Sequence, residues 1–212
     1  MKKSLCSVFV AAIVSSAHAG PMGFKDSLMS MGDFSRNWRE TFVNYAITTK
    51  DAVGIEAVAM HSDDQSKSRQ AVDLTYTRLV KRWNLPEAQA NFWFVGGIGE
   101  IKGNDFAARR TLLTPGIQFD FETTRVYFAS TARLYRAEGI NHDSTSLRAG
   151  ASFYEVNYDE TQPWLIVEAR RFRNLSDRTE FTPMLRLIHH RYFVEAGISN
   201  MHEARFNFMY IY

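Results

Sequence analysis

The sequence predicts an all-β fold, an antiparallel up-and-down transmembrane β-barrel of about twelve strands, and three observations carry that prediction. The chain closes on A-R-F-N-F-M-Y-I-Y, where Phe206, Phe208, Tyr210 and Tyr212 alternate with Arg205, Asn207, Met209 and Ile211. A period of two puts the four aromatics on one face of a strand, a face suited to lipid and its interfacial girdle. The same alternation recurs along the chain after Gly20, broken by short polar connections. No later run of about 18 apolar residues occurs, so strands rather than a helix would cross a membrane. Aromatics make up 14% while mean hydropathy is slightly negative, as befits strands apolar on one side only.

Taken in order, the chain begins with Lys2 and Lys3, an apolar stretch from Leu5 to Val14, and Ala17-His18-Ala19 ahead of Gly20. This is the pattern of a secretory signal peptide over residues 1–19, leaving 20–212 as a single barrel domain. The one cysteine, Cys6, lies in the leader. The mature chain then has no thiol for a disulfide, a metal or nucleophilic catalysis. Removing the two leader lysines turns 25 basic against 23 acidic residues into 23 against 23. A neutral chain lacks the basic face that nucleic acid requires.

The alternating runs lie at 28–34, 38–48, 52–60, 70–80, 89–101, 110–121, 124–135, 146–157, 163–172, 180–188, 192–199 and 204–212. Twelve is even, as single-chain barrels of this kind require; with 28–34 as a lead-in, ten is the next count. With both termini on one side, turns at 49–51, 81–88, 122–123 and 189–190 share that side. Connections at 61–69, 102–105, 136–145, 173–179 and 200–203 lie opposite. Pro115 and Pro183 interrupt ladder bonding, and Pro115-Gly116 reads as a bulge.

Parity then sorts the faces. Val43, Tyr45, Ile47, Val53, Ile55, Ala57, Val126, Phe128, Leu134, Leu165 and Val167 are expected toward lipid. Glu40, Glu56, Asp73, Asp120, Glu168, Glu180 and Glu195 are expected toward the lumen, with Arg110, Arg125, Arg133, Arg148, Arg170, Arg186 and Arg205. A basic residue on the lipid face near the midplane would cost roughly 2–4 kcal/mol, so this placement supports the fold. Seven acids against seven arginines imply a balanced interior. It would be either a narrow porin-like pathway for small polar solutes or a plugged structural barrel filled by pairs. Trp38, Trp83, Trp93, Trp164, Tyr192 and Tyr210 read as interfacial girdle.

The strand from Phe206 to Tyr212 and the hairpin pattern resemble the bacterial outer-membrane β-barrel proteins as a general class, whose last strand ends in an aromatic that the assembly machinery reads. The resemblance implies residence in the bacterial outer membrane. Its partners would be outer-membrane lipid and the β-barrel assembly machinery, with Phe206, Phe208, Tyr210 and Tyr212 as the assembly signal. A monomer without cofactor is expected.

Two other chemistries are written in the chain. Asn141-His142-Asp143-Ser144 resembles the His-x-Ser pair of outer-membrane phospholipases and lipid A deacylases, with His142 as base and Ser144 as nucleophile. It departs from that pattern at Thr145, where those families carry Asn, and no Asn-Gly-Arg follows. Polar loop chemistry explains the same residues. Met22, Met29 and Met31, with Met60-His61, Met201-His202 and His189-His190, offer thioether and imidazole ligands that would suit copper. Their spacings define no particular site, and methionine is a common filler.

Deleting Tyr212, or replacing Phe206 and Tyr210 with serine, is expected to remove girdle and assembly cue together. The altered chain should fail to reach the outer membrane and be degraded. Normal heat-modifiable migration and membrane fractionation of the truncated chain would contradict this.

Overall fold

A computed structural model describes residues 20–157 and 159–212; the leader expected at 1–19 lies outside the described residues. Thirteen strands form one closed antiparallel barrel. They are β1 (Leu28–Phe34), β2 (Trp38–Ala46), β3 (Asp51–His61), β4 (Ser68–Asn84), β5 (Ala88–Gly103), β6 (Arg110–Leu113) and β7 (Gly116–Thr123). Then follow β8 (Val126–Ala137), β9 (Ile140–Ser152), β10 (Gln162–Arg173), β11 (Thr179–His189), β12 (Tyr192–Ile198) and β13 (Ala204–Ile211). The barrel closes where β1 meets β13, from Met29 opposite Ile211 to Phe34 opposite Phe206. The run at 28–34 is thus a wall strand and not a lead-in.

Strands β6 and β7 are two halves of one position in the wall, because both pair with β5 and both pair with β8. Twelve positions therefore surround the lumen. The break falls at Thr114-Pro115, since proline has no N–H to give to the ladder. Around it the ladder resumes at once, with Thr114 N–H donating to Gly97 O (2.9 Å) and Leu134 N–H to Pro115 O (2.9 Å). Pro183 stays within β11, opposite Val167.

Two expected connections are shorter than anticipated. The segment expected as an outer loop at 136–145 is strand, and only Glu138-Gly139 turns. Gly139, the second of the two loop residues, sits at φ +66°, which glycine adopts without strain. The alternating run expected at 146–157 stops at Ser152 for the same reason: the hairpin begins earlier, so β9 is used up sooner. The turn expected over 81–88 narrows to 85–87, because β4 continues past an irregularity between Leu79 and Lys81.

The outside is apolar: Leu74, Ile98, Leu147, Leu165, Val167 and Leu185 are all exposed there. The inside is layered. At the end that carries the loops, Trp38, Val58, Met60, Ile101, Leu112, Tyr135, Ile140 and Phe172 form an apolar cluster spanning the barrel. At the end that carries both termini, three clusters fill the interior. One joins Met22, Ala46, Ala52, Leu79 and Trp93. The others are Met29, Phe42, Phe193, Met209 and Ile211, and Tyr127, Ala129, Trp164, Ile166 and Met184. Trp38, Trp93 and Trp164 are 3%, 1% and 5% exposed, so they are lumen filling and not girdle. Parity explains two of them: Trp38 shares the face of Glu40, and Trp164 that of Glu168. Trp83, Tyr192 and Tyr210 remain on the outer surface near the terminal end.

Gly97 faces inward where the wall crowds Asp73; a Cβ there would lie 1.9 Å from Asp73 Oδ2 and 2.5 Å from Thr114 Oγ1. Gly97→Ala should destabilise the barrel by roughly 1–3 kcal/mol. Gly96→Ala, whose added carbon meets only the far end of the Phe94 ring, should be much milder. Denaturant midpoints of heat-modifiable migration measure both, and equal midpoints would contradict the packing argument.

Candidate functional site: the lumenal charge belt

Between the apolar layers lies a belt of charged side chains from nearly every wall position. Their parity puts them inward, and the narrowness of the barrel brings them within reach of one another. Most of them join in one chain of alternating charge. Arg186 and Arg148 both pair with Glu195, which Asn207 Nδ2 also reaches at 2.7 Å. Arg148 Nε continues to Glu168 (3.2 Å), and Glu168 to Arg205 (3.1 Å). Arg205 pairs with Asp33 (2.7 Å), Asp33 with Arg170 (3.0 Å), and Arg170 with Glu180 (3.1 Å). Four arginines, Arg148, Arg170, Arg186 and Arg205, meet four carboxylates, so this wall is neutral.

Arg186 is further held by rings on two sides, its guanidinium 4.6 Å from Tyr127 and 4.7 Å from Phe193. Such cation–π contacts strengthen when water is excluded. Arg170 lies 4.6 Å over Phe172 in the same way.

The opposite wall is unbalanced. Arg133 alone serves Glu56 (3.1 Å) and Asp73 (3.5 Å). Glu40 belongs to this wall but, among the described residues, accepts only from Trp38 Nε1 (2.9 Å). Tyr135 OH reaches Glu56 at 3.1 Å. The rings of the outer apolar layer thus turn their polar ends down onto the acids. Thr114, buried and facing inward beside the break at Pro115, hydrogen-bonds Asp73 and receives Arg133 Nη2 (3.0 Å); its carbonyl takes Arg133 Nε (2.9 Å). The interrupted strand therefore anchors the one arginine on this side.

Of the fourteen charges expected in the lumen, three lie outside the belt: Arg110, Arg125 and Asp120. Arg110 sits at the loop end, stacked 4.2 Å over Phe106 and bonded to the Glu138 carbonyl. Arg125 lies in the turn between β7 and β8, donating to Ser152 O (3.4 Å) and Phe153 O (3.2 Å). Parity holds for both, but each is at the end of a strand, where a long side chain reaches backbone carbonyls more easily than the lumen centre. Asp120 is buried near the terminal end, apart from the belt. Asp33 is the member that the sequence expectations lack; its shared parity with Met29 and Met31 on β1 was the available signal. With it, seven acids (Asp33, Glu40, Glu56, Asp73, Glu168, Glu180 and Glu195) face five arginines (Arg133, Arg148, Arg170, Arg186 and Arg205).

The space left inside is a cavity of about 190 Å³, lined by Asp33, Glu40, Glu56, Arg133, Arg148 and Arg205 among others. A polar cleft between the loops, lined by Arg36, Asp63, Arg178 and Glu203, shares no lining residue with it. His142 and Ser144 lie on β9, opposite Tyr135 and Arg133. Both face inward, His142 buried and Ser144 on the cavity wall, and no hydrogen bond joins them among the described residues. Met22, Met29 and Met60 are buried in three different apolar clusters. His189 and His190 meet at the β11–β12 turn with tilted rings, their centroids 4.0 Å apart. Phe206, Tyr210 and Tyr212 are exposed on the outer face of β13, Phe208 partly so, and Phe208 stacks on Phe34 across the closing seam.

No protein-family profile and no curated protein matches the chain. Solved structures similar to it include a KdgM porin, at 11% identity over 87% of this chain and 98% of that one, with a TM-score of 0.49. The KdgM porin in complex with disordered oligogalacturonate follows at 10% identity, 88% and 98% coverage, and a TM-score of 0.47. CdiB from Acinetobacter baumannii is similar at 9% identity, covering 88% of this chain and 60% of that one, with a TM-score of 0.34. None of them assigns a role to a residue of this chain.

Removing Arg133 should leave Glu56 and Asp73 buried without a cation, a loss on the order of 3–5 kcal/mol. Arg133→Ala is therefore expected to lower the unfolding midpoint strongly. Adding Glu56→Gln and Asp73→Asn to it should restore much of the loss. A triple variant no more stable than Arg133→Ala would contradict the pairing.

Proposed function

We propose that this protein is a non-enzymatic, porin-like barrel of the bacterial outer membrane whose lumen is closed at rest. The observation that carries the reading is the layered interior: a charge belt between two apolar layers, with a residual cavity of about 190 Å³. A hydrated solute has no continuous polar path through such layers, since hydrophobic constrictions exclude water. What does leak should be cationic. The neutral chain on one wall contributes no field, while Glu40, Glu56 and Asp73 outnumber Arg133 on the other. The balanced interior expected from parity gives way to an acidic one once Arg110 and Arg125 are placed at strand ends.

A second reading is favoured by one fact, that Ser144 lines the cavity two residues from His142 on the same face. A serine hydrolase acting on membrane lipid would present this pair outward. Here acyl chains would have to cross the wall.

In planar bilayers the wild-type protein should give small, infrequent steps with a preference for cations. Large anion-selective steps would overturn the reading. Purified protein should release no fatty acid from phospholipid, and Ser144→Ala should leave membrane lipid composition unchanged. Hydrolysis that disappears in that variant would reverse the ranking.

A further inference from the structure

Each carboxylate of the belt except Glu40 touches an arginine. Asp120, deeper toward the terminal end, does not. It is 2% exposed and accepts from Asn91 Nδ2 (2.6 Å), Trp93 Nε1 (2.6 Å) and Gln118 Nε2 (3.3 Å), all neutral donors. Among the described residues no Lys, Arg or His pairs with it. Arg82 stops one residue short, its Nε on Asn91 Oδ1 at 2.7 Å. A buried carboxylate whose direct partners are all neutral carries a charge that no ion pair compensates.

The chain enters the lumen at this same place. Gly20, Pro21 and Met22 are buried. Asn44 Nδ2 donates to Pro21 O (2.7 Å), and Met22 packs with Ala46, Ala52, Leu79 and Trp93. A Cβ on Gly20 would lie 2.7 Å from Trp93 Cζ2 and 3.3 Å from Cε2. Cε2 is bonded to the Nε1 that donates to Asp120, so Gly20 rests against the edge of the ring nearest that carboxylate. Only a residue without a side chain fits there. Independently, the small residues Ala17-His18-Ala19 mark Gly20 as the first residue after a signal-peptidase cut.

We propose that the lumen contains a site for the protein's own amino terminus: the Gly20 ammonium, made when the leader is removed, is the counter-ion of Asp120. This rests on the exported-barrel reading. Signal peptidase adds water across the Ala19–Gly20 amide. The hydroxyl joins the Ala19 carbonyl carbon, the hydrogen joins the Gly20 nitrogen, and the new carboxyl's proton passes to the amine. An uncut chain offers Asp120 a neutral amide; a cut chain offers a full positive charge. Residues 20–22 then form a tethered plug at the terminal mouth, electrostatically complete only after cleavage.

The test is chemical labelling of the mature protein. Intact mass should show a chain beginning at Gly20. With acetic anhydride near neutral pH, the Gly20 amine of the folded barrel should react at least about tenfold more slowly than in the denatured chain, as for an amine held charged and dry. The exposed Lys81 should react alike in both. Asp120→Asn should restore the Gly20 rate in the folded barrel, whereas burial alone would leave it protected. Should that variant not fold, refolding wild-type chains acetylated beforehand at Gly20 serves instead, and their unfolding midpoint should fall. Equal labelling of folded and denatured wild type, continued protection in Asp120→Asn, or an unchanged midpoint after acetylation would each overturn the inference. A mature chain starting elsewhere would overturn it together with the cut site of the export reading. A Gly20 start with an unprotected amine would overturn the inference alone.

Discussion

Glu195 meets Arg148, Arg186 and Asn207, which come from β9, β11 and β13. It is fully buried, so water cannot replace any of them. Glu56, Asp73, Glu168, Arg170, Arg186 and Arg205 are buried in the same way, and their pairs tie strands together. Arg205 on β13 holds Asp33 on β1 and Glu168 on β10, so one side chain joins the closing seam to a strand three positions away. Removing any link strands a charge in a dry interior, which costs several kcal/mol. The belt is therefore what fixes register around the barrel, because a one-residue slip would send a whole row of charges to lipid.

The apolar layers and the belt depend on each other. Trp38 stacks on Phe172 (4.6 Å) and meets Tyr135 edge-on (5.5 Å), and these rings seal the loop end. Their N–H and O–H groups reach Glu40 and Glu56 below. Sealing excludes water, and water exclusion strengthens the ion pairs. The interruption at Pro115 belongs to the same arrangement. Thr114 keeps the inward parity of Leu112 and meets Asp73 and Arg133, and beside the break its carbonyl also receives Arg133 Nε, on the wall where arginine is scarce. The wall with surplus acid is also the wall with the interrupted strand and with inward-facing Gly97 and Gly99, whose missing side chains let Asp73 fit.

Much of this was legible in the chain before folding. Alternation placed the strands, and it assigned Glu56, Asp73, Glu168, Glu195, Arg148, Arg186 and Arg205 to the interior. It failed where a second expectation was allowed to override it. Trp38 and Trp164 carry the parity of lumenal acids, yet tryptophan in a membrane barrel suggests the interface. In a barrel this narrow the interior needs volume, and large rings supply it. Alternation also says nothing of height along a strand. That is why Arg110 and Arg125 appear with the belt in sequence but sit at its ends, and why 136–145 read as a loop although its residues continue the ladder.

The sequence by itself determined which side chains face outward, because a period of two is a property of the extended backbone and needs no tertiary contact. The alternating runs pointed to about twelve wall positions with ten as the alternative, and the pairing of β1 with β13 decides for twelve. Only the tertiary structure decided which charges meet. Asp33 and Arg205 are 172 positions apart and become neighbours only when the first and last strands pair. The division into a neutral wall and an acidic one, the apolar layers that enclose them, and the burial of Gly20 beside Trp93 arise the same way. Each depends on distances across the lumen, and closure of the sheet sets those distances.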